Sequence, residues 1–258
     1  MMKKYQKRLT VKECSHPASG YALLKLTDAE PLPEMRAGQF VQAKVEGSSA
    51  TFLRRPVSIN FVDREANELW LLVREVGSGT RRLSTLNAGD TLDVLFPLGN
   101  GFGSCRHEGE KVLLVGGGVG IAPLLYLGRE LTAAGAEVCF LLGGRTAADL
   151  LELDLFARYG TVYTTTEDGS LGEKGFVTRH SILGKTAFER ICCCGPKPMM
   201  MAVGRFARKA DVACEVSLEN MMACGLGACL CCVENTMRGH VCVCTEGPVF
   251  DIRQLTWE

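Results

Sequence analysis

Six cysteines lie within residues 224–244 of this 258-residue chain, and they constrain it more than any other feature. Four residues separate Cys224 from Cys229, and two separate Cys229 from Cys232. That is the C-x4-C-x2-C part of a plant-type iron–sulfur ligand set, which one distal cysteine completes. Gly225 and Gly227 fall inside the first interval. A backbone without Cβ atoms can curl there with its amides toward an anionic centre. The plain alternative is a buried cysteine-rich turn, which does not account for so many thiols crowded around glycines. The last stretch of about forty residues is also too short to fold without a staple, and four thiolates on a metal would supply one.

Cys231 would leave a one-residue gap and is read as a passenger thiol. The fourth ligand is Cys242 or Cys244, which on a strand would point to opposite faces. Cys244 is the choice, because the turn Glu246-Gly247-Pro248 follows it and would close the loop. Zinc is the rival metal, but zinc ribbons favour paired C-x2-C knuckles. His240, beside Gly239, reads as an exposed turn residue, since a Rieske-like centre needs two histidines and only one is local.

Elsewhere the composition excludes more than it assigns. Lysine plus arginine and aspartate plus glutamate both total 29, so there is no basic excess for nucleic acid. The most apolar run, 112–127, is broken by four glycines and Pro123, so no membrane span is expected. The first eight residues are charged and polar with no apolar segment behind them, which does not read as a secretion signal. Thirteen cysteines in such a chain point to a reducing, cytoplasmic setting with metal ligation and buried thiols. Cys192 and Cys193 read as strand packing, and Cys14, Cys105, Cys139 and Cys214 as small buried hydrophobes.

Residues 1 to about 100 have the pattern of an antiparallel barrel. Strands are expected at 21–26, 39–45, 52–60, 68–76 and 91–95, with turns at 31–33 and 47–49. Arg54-Arg55-Pro56-Val57-Ser58 offers a guanidinium fork and a hydroxyl suited to a phosphate. Gly77-Ser78-Gly79-Thr80 would let backbone amides approach a diphosphate. After the glycine-rich crossing at 97–103 the period changes. Strands at 112–115, 138–142, 161–165, 190–194 and 212–218 alternate with helices at 121–131, 147–159, 175–183 and 196–209, which predicts a parallel sheet. The first of these strands runs into Gly116-Gly117-Gly118-Val119-Gly120, a phosphate cradle at a helix start.

The Arg-Pro-x-Ser signature followed by a Gly-Thr turn resembles the FAD-binding barrel of the ferredoxin-NADP reductase superfamily. Gly117-Gly118-Val119-Gly120-Ile121-Ala122-Pro123-Leu124 and Cys194-Gly195-Pro196 resemble its nicotinamide domain. With the cysteine loop, Glu219-Asn220-Met221-Met222-Ala223-Cys224, and the closing Gly247-Pro248-Val249-Phe250, nearly the whole chain resembles electron-transfer subunits of type B dihydroorotate dehydrogenase.

The resemblance implies a multidomain β plus α/β fold: an antiparallel β-barrel flavin domain over 1–102, a parallel-sheet α/β nicotinamide domain over 103–212 and a small iron–sulfur module over 213–258. It implies that Arg55, Pro56, Val57 and Ser58 grip FAD and its phosphates, that Leu72, Val73 and Arg74 line the flavin edge, and that Gly79 and Thr80 sit at its pyrophosphate. Gly117, Gly118, Gly120, Cys194, Gly195 and Pro196 would serve NAD, and Cys224, Cys229, Cys232 and Cys244 a 2Fe–2S cluster. No catalytic acid or base is required. Electrons would arrive from an FMN-containing dihydroorotate dehydrogenase subunit, in a heterotetramer of two chains of each kind, and leave on NAD+ in pyrimidine synthesis. Two other readings stay open: a reductase subunit feeding ferredoxin or a sulfur substrate from NAD(P)H, and a zinc-stapled nucleotide binder with no redox role. Arg145 could meet a 2′-phosphate, and Glu167 or Asp168 a ribose hydroxyl.

Overall fold

The computed structural model describes residues 3–48 and 51–257. The first part is an antiparallel sheet of seven strands: β1 (Tyr5–Ser15), β2 (Tyr21–Thr27), β3 (Phe40–Ala43), β4 (Arg55–Ser58), β5 (Phe61–Asp63), β6 (Glu68–Arg74) and β7 (Thr91–Leu98), with a short helix α1 (Ser78–Leu83) before β7. Their order is β4-β3-β7-β1-β2-β6-β5, so the antiparallel barrel expected takes the form of a half-barrel with β4 and β5 at its ends. β1 is not among the expected strands. Its Leu9 and Val11 turn inward between charged neighbours, a half-buried alternation hidden in a charged stretch. The expected strand at 52–60 shortens to β4, and Phe52 is 94% exposed. The turn expected at 47–49 ends on Ser49, outside the described residues.

The second part is built on β8 (Lys111–Gly117), α2 (Ala122–Ala133), β9 (Glu137–Gly144), α3 (Leu153–Phe156), β10 (Thr161–Thr166), β11 (Glu173–Lys174), α4 (Ile182–Lys185), β12 (Arg190–Cys194), α5 (Lys197–Ala210) and β13 (Ala213–Ser217). After it come β14 (Val233–Thr236), β15 (Gly239–Cys242), the helical turn α6 (Val243–Glu246) and β16 (Val249–Asp251). The sheet order is β11-β10-β9-β8-β12-β13-β16, parallel except for β16, which returns antiparallel to β13. β8 is buried along both faces from Val112 to Gly117, as a central parallel strand requires. α5 turns Met200, Val203, Gly204 and Ala207 onto the sheet at helical spacing.

The helix expected over 147–159 is broken. A 3-10 turn spans Ala147–Asp149, and α3 begins only after Glu152, whose φ of 58° is left-handed. That turn aims Glu152 across to the barrel. There Asn60 Nδ2 donates to Glu152 Oε2 at 3.0 Å and to the Ala122 carbonyl at 3.2 Å. Arg129 donates to the Val62 carbonyl at 2.7 Å, and Tyr126 to that of Met35 at 3.2 Å. These bonds dock the start and the outer face of α2 onto the barrel. Of the cysteines expected inside, Cys192, Cys193 and Cys214 are buried, but Cys14, Cys105 and Cys139 are only half-buried. Among the described residues no helix is long and apolar enough to cross a membrane.

Candidate functional site

The order of the parallel sheet reverses at β8: β9 lies on one side and β12 on the other. Ligands of such sheets sit beyond the carboxyl ends of the strands at this switch point. Two clefts meet there. The first, about 320 Å3, lies between barrel and sheet. Pro56, Val57 and Ser58 line it from β4, Leu72, Val73 and Arg74 from β6, and Thr80 from α1. Val119 and Ala122 close it from the glycine loop, and 217–220 with Met222 from the end of β13 and the segment after it. The second, about 470 Å3, is lined by Gly117, Gly118, Arg145, Glu167, Pro196 and Met199 among others. Arg74 lines both.

Arg54 and Arg55 are neighbours with different work. Arg54 is spent on the fold: its Nη2 meets Asp93 Oδ1 at 2.9 Å and its Nη1 the Asp93 carbonyl at 3.0 Å. Arg55 has no carboxylate partner among the described residues, and its Nη1 reaches only the carbonyls of Leu53 and Arg54. Its guanidinium packs over Gly79, where a Cβ would lie 2.7 Å from Arg55 Nε. Thr80 lines the first cleft and also has work in its own turn. Its Oγ1 accepts from the amides of Val76 and Gly77, so it shapes the turn and takes up one of the amides, that of Gly77, expected to face a ligand.

Gly120 is needed for close packing. A Cβ there would lie 2.5 Å from Gly195 Cα and 2.6 Å from the Cys194 carbonyl oxygen, so the glycine loop and the Cys-Gly-Pro turn touch backbone to backbone. Cys194 lines neither cleft. It is wholly buried, and its Sγ stands 3.9 Å from Glu219 Oε1, which belongs to the first cleft. Burial, with the Glu219 charge beside it, pushes the Cys194 thiol well up. Burial also pushes Glu219 upward. Arg145 and Glu167 both line the second cleft, while Asp168 is turned onto Ser170, its Oδ1 2.6 Å from the hydroxyl.

The cysteine loop follows directly. Cys232 and Cys244 are buried, Cys224 and Cys242 half-buried, and Cys229 and Cys231 exposed. No three of these thiols, among the described residues, stand at the spacing that would hold one metal ion. They pair instead: Cys224 interacts side chain to side chain with Cys229, and Cys244 with Cys232. A two-iron cluster with two thiolates on each iron takes such a donor set. Backbone amides already point at sulfur, Leu226 to Cys224 at 3.3 Å and Gly227 to Cys244 at 3.2 Å. Burial raises the Cys224 pKa, but amides of Leu226, Cys229 and Ala228 and the Cys229 thiol outweigh it and hold the value down to about 6. Burial and the Cys232 thiol push Cys244 up to about 12 in the same loop. The sequence argument that Cys242 and Cys244 alternate along one strand fails. β15 ends at Cys242, and Cys244 sits in α6, so both reach Cys232.

Sequence reasoning missed Glu219, the double position of Arg74 and the Asn60–Glu152 contact. A carboxylate at the carboxyl end of a parallel strand, immediately before the cysteine loop, was the available signal for Glu219.

Residues 219–256 match the family model for the iron-sulfur cluster binding domain of dihydroorotate dehydrogenase B, and 114–205 that for an oxidoreductase NAD-binding domain. The electron transfer subunit of dihydroorotate dehydrogenase B (NAD(+)) from Shouchella clausii is 40% identical over 98% of this chain and 99% of its own length. The subunit of that name from a Geobacillus species is 42% identical over 84% and 86%. Among solved structures, an NADH-dependent reduced ferredoxin-NADP oxidoreductase is 30% identical and superposes with a TM-score of 0.86, covering 96% of this chain and 90% of its own. A cytochrome P450 reductase from Amycolatopsis, 29% identical, gives 0.68 over 80% and 66%. The chain belongs to the family of dihydroorotate dehydrogenase B (NAD(+)) electron transfer subunits.

Proposed function

We propose that this chain carries electrons from a dihydroorotate-oxidising catalytic subunit to NAD+, in pyrimidine synthesis. The observation that carries the reading is the convergence on one cleft of three parts of the chain: 56–58 of the barrel, the glycine loop at Val119 and Ala122, and 217–220 with Met222, which run straight into the cysteine loop. The functional parts are 1–102 for the flavin, 103–212 for the nicotinamide and 213–258 for the cluster, the last sharing β13 and β16 with the sheet of the second.

Bound FAD exchanges electrons singly or in pairs, NAD+ takes a hydride, and a 2Fe–2S cluster carries one electron at a time, so the flavin belongs between the other two. The chain's own residues bind and orient. Arg55, with no carboxylate to satisfy it among the described residues, is suited to the FAD diphosphate, with Gly79 and Thr80 shaping the turn beneath it. Pro56, Val57, Ser58, Leu72 and Val73 would hold the flavin, with Phe40 and Met222 lining the same cleft. Gly117 and Gly118, with Pro196, open the nicotinamide cleft, and Gly120, Gly195 and Cys194 hold its two loops together. Arg74 stands where the two clefts meet. Cys194 Sγ keeps its proton, so no thiolate is buried beside Glu219. Cys224, Cys229, Cys232 and Cys244 are the cluster ligands, supported by their pairing and the amides aimed at sulfur.

The partner is an FMN-containing catalytic subunit, in a heterotetramer of two chains of each kind. Met221, Leu226 and Leu230, exposed at 82%, 48% and 64%, give the cysteine loop an apolar face for it. A cytoplasmic setting suits a chain whose cysteines are free among the described residues.

Anaerobic co-expression with such a subunit tests the reading: the complex should contain flavin and iron and reduce NAD+ when given dihydroorotate. A second reading, a ferredoxin-linked NAD(P)H reductase, draws on the 30% identity to the NADH-dependent oxidoreductase. It would be preferred if the chain reduced ferredoxin from NADH yet took no electrons from the dihydroorotate-oxidising subunit.

A further inference from the structure

β3 runs from one cofactor site to the other. Phe40 lines the first cleft, and Gln42, two residues on and so on the same side of the strand, reaches the cysteine loop. Gln42 is wholly buried, and neither its Oε1 nor its Nε2 has a hydrogen-bond partner. An unmet buried polar group costs about 1–3 kcal/mol, so two on one side chain call for a reason. The neighbour is the loop itself. At Gly225, whose φ is +70°, a Cβ would lie 2.8 Å from Gln42 Cγ and 3.2 Å from Nε2. Gly225 immediately follows Cys224. No other residue type fits there, because the backbone is left-handed and the carboxamide fills the space a side chain would take.

We propose that Gln42 is the barrel's hydrogen-bond donor to the iron–sulfur cluster, its Nε2–H directed at cluster sulfur, and that this bond raises the cluster's reduction potential. The inference rests on the cluster-binding reading above. Reduction adds negative charge to sulfur, and a fixed donor stabilises that charge, so the reduced state is favoured. A neutral amide does this without burying a cation, whose desolvation in this apolar seam would be costly. It also has no proton to lose, so its effect is constant with pH.

The test uses the anaerobically prepared full chain with flavin and cluster loaded. The chain has four glutamines, which can be labelled with 15N at the side-chain amide. Pulsed EPR of the reduced cluster should show a 15N coupling that disappears in Gln42→Met. That variant keeps volume and loses the donor, and it should lower the cluster midpoint potential while leaving the FAD potential and iron content unchanged. A loaded wild-type chain without the coupling, or a loaded variant with an unshifted cluster potential, overturns this inference alone. Should Gln42→Met fail to load, the wild-type coupling decides. A wild-type chain that takes up no iron overturns the cluster reading and this inference together.

Discussion

Asn60 on the barrel and Glu152 on the nucleotide-binding part meet through a single 3.0 Å hydrogen bond, and each retains one buried oxygen without a partner. Burial pushes the Glu152 carboxyl up to about 7 from 4.5, against the lowering effect of the Asn60 amide. The folded state therefore holds a proton that the unfolded chain releases near 4.5. Stability should be unaffected by this group below that pH, fall between about 4.5 and about 7, and stay lowered above it. The gap is worth about 3 kcal/mol at about 1.4 kcal/mol per pH unit. Glu152→Gln should flatten that slope and stabilise the chain by about 1–3 kcal/mol at pH 8. Denaturant unfolding of the loaded protein at pH 5 and pH 8 checks it, and an unaltered slope would count against the assignment.

Arg54 and Arg55 should separate stability from cofactor binding. Arg54→Ala leaves the largely buried Asp93 carboxylate without its cation, on the Gln6 amide alone, and should cost about 1–3 kcal/mol of unfolding free energy. Arg55→Ala should leave stability of the FAD-free chain within about 0.5 kcal/mol. Its FAD affinity should weaken at least about tenfold, the loss of one charge-assisted contact. Fluorescence titration with FAD and unfolding of the FAD-free chain give the two numbers.

Gly120→Ala should damage the nicotinamide cleft and spare the flavin. The added methyl meets backbone at 2.5 Å and 2.6 Å, so the Cys-Gly-Pro turn must move. A stability loss of about 1–3 kcal/mol is expected. The KM for NADH in ferricyanide reduction should rise at least about tenfold, with flavin content retained. A variant with unchanged KM would show that the two loops can separate without consequence.

Cys244→Ser should lose the cluster, and Cys242→Ser should keep it, because the Gly227 amide points at Cys244 Sγ whereas Cys242 Sγ points at the Gly227 carbonyl. Iron content and the visible spectrum after anaerobic purification decide. The reverse result would move the fourth ligand to Cys242.

The parts of this molecule that sequence made legible are those carried by local spacing. The intervals Cys224–Cys229–Cys232 and the glycine loop after β8 are set by neighbouring residues, and their chemistry is readable without the fold. β1 was illegible because its inward residues are interleaved with lysine and arginine. The helix over 147–159 was misread because Glu152 leaves helical backbone to reach Asn60, a partner 92 positions away. Gln42 and Glu219 acquire significance only when barrel and sheet dock, and so does the place of Arg74 between the two clefts. No periodicity of their own strands marks them out. Cys244 is favoured by the turn that follows it, but the premise that Cys242 and Cys244 alternate along one strand does not hold, because the chain turns helical between them.

The pairing of β13 with β16 has one more consequence. Ser217 and Val249 stand opposite each other in that ladder, and Leu218 donates to the Pro248 carbonyl at 2.9 Å. Residues opposed in an antiparallel pair have Cα atoms about 5 Å apart. Everything from 218 to 248, with all the proposed ligands, therefore leaves and re-enters the sheet through one doorway. Such a segment is a cassette. A short hairpin turn bridging the doorway in its place would keep the strands on either side in register, and the loss of the cassette would take with it the wall that Leu218, Glu219, Asn220 and Met222 give the first cleft.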